Sequence, residues 1–141
     1  MANIIPFAFR GELFSGTHDF SNGGNSFKIA LYTGNPYSTS SDVYLTAQEV
    51  SASNTGYTTA GQVLGSQAVA SGTAVASVDF ADSVINSATF TAAFAAIYND
   101  TNADKLCVVL DFGGNKTATN GTFTISFPNP STPANAIISM A

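Results

Sequence analysis

Thr89-Phe-Thr-Ala-Ala-Phe-Ala-Ala-Ile-Tyr98 places Phe90, Ala92, Phe94, Ala96 and Tyr98 at every second position, with Thr89, Thr91, Ala93, Ala95 and Ile97 between them. Side chains alternate across a strand with a period of two, whereas a helix would scatter these aromatics around its circumference. The stretch predicts a half-buried strand with one aromatic face and one small or hydroxylated face.

The same reading extends outward in both directions. In 27–32, Phe27, Ile29 and Leu31 share a face, and 74–80 turns Ala76, Val78 and Phe80 inward. Leu106 to Phe112 is apolar on both faces until Asp111, which predicts a central strand covered on both sides. Thr122 to Phe127 alternates, and Ala136 to Met140 offers a closing edge. Gly, Asn and Ser clusters separate these runs at 21–25, 34–41, 51–56 and 113–121, the last read as a hairpin loop. Short strands between turns predict an all-β chain, an antiparallel β-sandwich or jelly-roll-like barrel of about 7–8 strands. One or two short helical turns are expected. Gly11 to Phe20 carries Leu13, Phe14 and Phe20, and in 44–50 Thr46 stands three residues before Glu49 at capping-box spacing. The uncharged stretch 51–78 reads as exposed loop and edge strand.

At 141 residues the chain has the size of one domain. Residues 1–10 form an apolar start that is either a first strand or an N-terminal arm docking on a neighbour, and 11–141 a single β domain. Ile4, Ile5, Phe7 and Phe9 are accordingly the candidate assembly interface. Hydrophobic residues reach 45% and charged ones only 9%, against about 25% in ordinary soluble chains. Disorder is thereby disfavoured, and 16 Ser, 16 Thr and 12 Asn must supply the polar surface.

Arg10, Lys28, Lys105 and Lys116 against nine acidic residues give a net charge of −5. Four scattered cations cannot neutralise a phosphate backbone or follow an anionic lipid surface, so neither nucleic acid nor a membrane is expected as partner. The start lacks the basic flank and cleavage site of a secretory signal, and the longest apolar stretch, 83–99, falls short of a spanning helix. Synthesis and solubility in a cytoplasm are expected.

Few residues could carry chemistry. His18 is the one histidine and directly precedes Asp19, which as its chain neighbour is badly placed to orient it. Asp100, Asn102 and Asp104 copy the first ligand positions of a calcium loop, but Lys105 stands where that loop needs glycine. A turn between strands is the expected role, with these three the candidate metal ligands. Cys107 has no second cysteine for zinc or a disulfide and no sequence neighbour to activate it, so a small buried hydrophobe is expected. Gly113-Gly-Asn-Lys-Thr117 lacks phosphate-loop spacing. Tyr32, Tyr37, Tyr44 and Tyr57 lie in or beside loops, where exposed rings could form a carbohydrate platform. No catalytic residue, resident metal or cofactor is assigned, and no enzyme activity is expected.

Longer pieces carry a resemblance. Glu12-Leu-Phe-Ser-Gly-Thr-His-Asp-Phe20, Ser26-Phe-Lys-Ile-Ala-Leu-Tyr-Thr33 and Gly56-Tyr-Thr-Thr-Ala-Gly-Gln-Val-Leu64, followed by Val78-Asp-Phe-Ala-Asp82, Ile97-Tyr-Asn99 and Val108-Val-Leu-Asp-Phe-Gly113, resemble a family of small tailed-bacteriophage virion structural proteins. The resemblance spans nearly the whole chain and contains no catalytic motif. It implies a virion component, with the major capsid protein or other virion proteins as partners. It does not distinguish capsid decoration (cement), head fibre, or neck and tail. The low charge and apolar start favour a decoration protein bridging capsomers, assembled as a homo-oligomer with a trimer expected. The alternatives are a neck, tail or fibre component binding an adaptor or host glycan through its loops, and a pilin-like or adhesin subunit. An enzyme using His18 as base comes last.

Overall fold

The structure, a computed structural model, describes residues 3–128 and 136–140. The outermost ends of the expected 1–10 arm and 11–141 domain lie outside the described residues. Strand accounts for 46% and helix for 6%, which makes the chain all-β. One helix, α1 (Phe7–Phe14), precedes seven strands: β1 (Phe27–Tyr32), β2 (Gln62–Val63), β3 (Ala68–Ser71), β4 (Ala76–Asp79), β5 (Ser83–Asn99), β6 (Lys105–Ile125) and β7 (Ile138–Met140). They form two antiparallel sheets, ordered β2-β1-β5-β6 and β3-β4-β7. Neither sheet closes on itself, so the sandwich is the architecture and the barrel is not.

The larger sheet is buried on both faces where β1, residues 94–99 of β5 and 105–110 of β6 pair. Between the sheets lie Phe27, Ile29 and Leu31 of β1, Ile97 of β5 and Val108 of β6, packed with Val78 and Ile138 of the smaller sheet. On the opposite face Ala30, Tyr32, Ala96, Tyr98, Leu106 and Val109 are covered by Tyr37, Tyr44 and Leu45 from the connection after β1. Leu106 to Leu110 is therefore apolar on both faces, as expected, although β6 stands at the end of the sheet order. Its outer edge is extended by the segment before α1, where the amide and carbonyl of Ile4 exchange hydrogen bonds with Val109.

The deciding stretch is a strand, but its five alternate residues do not share one face. The pairing register shifts between Ala92 and Phe94. Before the shift Phe90 and Ala92 face the inter-sheet core; after it Ala95 and Ile97 do, and Phe94, Ala96 and Tyr98 face the covering loops. The compensating irregularity is on β6, where Asp111 pairs with Phe94 and Lys116 with Ala92. Four residues there, 112–115, stand opposite the single Ala93 and form a bulge, with Gly113 and Gly114 at positive φ. The expected hairpin loop 113–121 is instead a bulge followed by continued strand.

Two helical expectations are also corrected. The helix begins at Phe7, upstream of the expected 11–20 turn, and 44–50 holds no helix. Gln48 adopts a left-handed conformation (φ 62°) and Glu49 bridges back to Tyr32. Glycine is required at position 61, where φ is +77° and an added Cβ would collide with the Ile29 carbonyl. The 56–64 segment therefore passes tightly over β1.

Candidate functional site

α1 has apolar side chains on both sides. Phe9 is buried in the core with Leu13 packed against it, while Phe7 and Phe14, seven residues apart and so on one helix face, point away. Phe14 is 89% exposed and Phe7 60%. A helix with large apolar side chains on opposite sides normally lies between two layers; among the described residues only one layer covers it. Arg10 sits between the two phenylalanines in the stripe, its guanidinium 5.4 Å from the Phe7 ring centroid. Neighbouring Gly11 has open space beside it.

Two cavities continue this face. One, of about 450 Å³, is a slot between α1 and β7, bounded by Leu13, Phe14, Ile138 and Met140, with Arg10 its one charged side chain. The other, of about 460 Å³, enters the open end of the sandwich between the small sheet and the 18–21 segment. Leu13, Ile138, Ser139 and Met140 border both. Met140 (56% exposed) and Val69 (54% exposed) stand at their margins. Ser77 lines the second cavity; it is 3% exposed and its hydroxyl has no hydrogen-bond partner among the described residues.

This geometry redistributes the expected interface. Ile4 pairs within its own chain, Ile5 packs partly buried against the core, and Phe9 is buried. The segment is thus folded onto the domain, and only Phe7 of the four candidates is outward. Sequence reading missed Phe14 and Met140. The signal for Phe14 was its spacing of seven from Phe7, which emerges once 7–14 is known to be helical.

Beside the slot lies a buried polar cluster that joins three parts of the chain. Glu12 on α1 accepts from His18 at 2.8 Å and pairs with Lys105 at 3.2 Å. Asn99 Oδ1 accepts from the amides of Thr101 and Asn102, so its Nδ2 is left to donate to Asn25 Oδ1 (2.9 Å) and His18 Nδ1 (3.0 Å). Nδ1 is consequently an acceptor and Nε2 carries the proton shared with Glu12. His18 is thus oriented by Glu12, six residues away; the Asp19 carboxylate instead accepts from the hydroxyl and amide of Ser21, which hold it below the usual carboxylate range.

Cys107 Sγ lies 3.8 Å from His18 Nδ1, a neighbour invisible in sequence. Burial, and then the Glu12 charge, push the thiol well above its ordinary value, the opposite of nucleophile activation. The arrangement fastens α1 and the 17–25 segment to the β5–β6 turn.

The other candidates are held in structural contacts. Asp100 pairs with Lys28 at 3.0 Å, Asn102 Nδ2 donates to the Thr17 carbonyl and Asn25 Oδ1, and the Asp104 carbonyl accepts the Tyr44 amide. Among the described residues no three His, Cys, Asp or Glu side chains are grouped to hold a metal ion. The 100–104 segment is the expected turn between β5 and β6.

The tyrosines, whose rings could have formed an exposed platform, turn inward instead: Tyr32, Tyr37 and Tyr44 lie on the loop-covered face of the larger sheet and Tyr57 packs in the inter-sheet core. Tyr32, Tyr37 and Tyr57 are buried. Glu49 Oε1 accepts from the Tyr57 hydroxyl (2.6 Å) and the Ala60 amide (2.7 Å), and Oε2 from Tyr44 (2.6 Å). The Tyr57 hydroxyl also accepts the Leu31 amide at 3.0 Å. Tyr32 and Tyr37 share a hydrogen bond at 2.6 Å, and Tyr98 donates to the Ala60 carbonyl. These rings clamp loops to a sheet and leave no platform for a sugar. No family model matches the chain, nor does any curated protein or solved structure.

Proposed function

We propose that this chain is a structural subunit of a tailed-bacteriophage virion, and within it a capsid decoration (cement) protein that bridges capsomers. The observation that carries this reading is the α1 face: large apolar side chains exposed on a sandwich whose surface is otherwise hydroxyl-rich and poor in charge. Contiguous exposed apolar surface of this kind marks protein contact. The buried polar cluster beside it uses its carboxylate, imidazole and amide to join segments, the role such groups serve in a scaffold. The whole-chain resemblance supplies the particle. A decoration protein would stabilise the shell by mass action, binding the assembled state and not its separated parts.

Quantitative mass spectrometry of purified particles of the encoding phage, against the major capsid protein, tests the proposal. Hundreds of copies in fixed ratio to the shell protein are expected. About six to eighteen copies, the order of a closed ring, would move the protein to the neck or tail and overturn decoration. Absence from the particle would overturn the virion reading.

A further inference from the structure

We infer that the α1 face is the contact between two copies of this chain, related by a two-fold axis, with Phe14 of each copy seated in the slot between α1 and β7 of the other. The inference takes from the functional reading only that this face is an assembly surface. It names the occupant.

Two observations point to a second copy. The protruding group and the receiving cavity lie on the same face: Phe14 borders the slot that Leu13, Ile138 and Met140 form. A two-fold axis makes such a face complementary to itself, with each knob entering the other copy's recess, whereas a three-fold ring needs knob and recess on different faces. Gly11, with open space where a side chain would stand, leaves a gap in the stripe between Phe7 and Phe14. A second helix can approach the backbone closely there.

The area is also sufficient. Phe14, Phe7, Met140 and Val69 together leave on the order of 500 Å² of apolar surface open on each copy, given the 150–250 Å² an aromatic side chain can bury. Pairing would cover on the order of 1,000 Å² in total, where specific interfaces begin. The electrostatics do not oppose it. Glu12 is turned away to His18 and Lys105, and the Arg10 guanidinium, which lines the slot, is stacked over its own Phe7 ring.

Sedimentation velocity of the purified full chain, from low micromolar to submillimolar concentration, tests this with three variants: Phe14→Ser, Met140→Ser and, as control, Val84→Ser at an exposed β5 position outside the face. The expected result is a monomer–dimer equilibrium that Phe14→Ser weakens by at least about 30-fold, the effect of a hot-spot side chain. Met140→Ser should weaken it less and Val84→Ser should leave it unchanged. Because Phe14 makes so little contact with its own chain, Phe14→Ser should keep the wild-type melting temperature at concentrations low enough that both proteins are monomeric. A monomer throughout the range, a trimer, or a dimer indifferent to Phe14→Ser would each overturn the proposal. The first of these outcomes would leave the face to a partner of different sequence. None of them alters the copy number in particles, so the two proposals fail separately.

Discussion

The two faces of the larger sheet are finished in opposite ways. On one, the loops after β1 close over Tyr32 and Tyr98, and both carboxylate oxygens of Glu49 receive donors from Tyr44, Tyr57 and Ala60. On the other, the small sheet and α1 meet the core but leave a slot, an open sandwich end, a buried hydroxyl without a partner among the described residues and an almost fully exposed phenylalanine. Both regions are rich in aromatics, so composition does not separate them. The loop-covered face closes over its aromatics, apart from the buried Asn35 Nδ2 that has no partner among the described residues, whereas the helix face keeps large apolar side chains exposed. The helix face is accordingly where the proposed association is placed.

The largest expected effect is on the closed side. Glu49→Ala removes the acceptor of three charge-assisted hydrogen bonds and should cost about 2–4 kcal/mol in urea unfolding. A loss under about 1 kcal/mol would mean that the clamp is ornamental and the contrast false. High pH attacks the same region. Burial first, then the hydrogen bond to Glu49, raises the Tyr57 phenol far above its ordinary value, and burial does the same for Tyr32. The folded chain therefore holds protons that the unfolded chain releases near pH 10. Stability should be intact below that pH and fall above it, by about 1.4 kcal/mol per pH unit for each phenol kept protonated. Urea midpoints followed with tyrosinate absorbance would show this; free ionisation near pH 10 without loss of stability would contradict it.

On the open side the expected changes are smaller and of opposite sign. Gly11→Ala replaces the poorest non-proline helix former where nothing obstructs a methyl group, and should stabilise the monomer by about 0.5–1 kcal/mol. Ser77→Ala removes a buried, unmatched hydroxyl and should be neutral or stabilising by up to about 1 kcal/mol. Thermal melts of both at low micromolar concentration sharpen the comparison, and a clear loss in either would show that the helix side is as finished as the other.

Much of the sheet was legible because apolar alternation records burial locally: β1, the 106–110 part of β6 and the Phe123–Ile125 end follow their patterns. The reading failed where one residue of register matters. Phe94, Ala96 and Tyr98 continue the alternation of Phe90 and Ala92 yet face the other way, since the extra residues that absorb the shift lie on β6. Helix α1 was hidden because Pro6, at its start, offers no side-chain cap and because an octamer with Phe7, Phe9, Leu13 and Phe14 on both sides has no one-sided apolar period to read. Glu49, spaced to cap a helix, is claimed by tyrosines 5 and 8 residues away. Of the interaction face, sequence reached Phe7 alone. Phe14 and Met140 are neighbours only through the fold.

The sole thiol of the chain has a practical consequence. Cys107 lies in β6 beneath α1, fully buried, protonated and flanked by His18. A disulfide reagent can reach it only when the helix and the 17–25 segment lift from the sheet together. The rate of thiol modification in native buffer is thus a clock for that one opening event, with no label or mutation introduced. Run at rising protein concentration, the same clock would register whether anything has settled on the helix and holds it down.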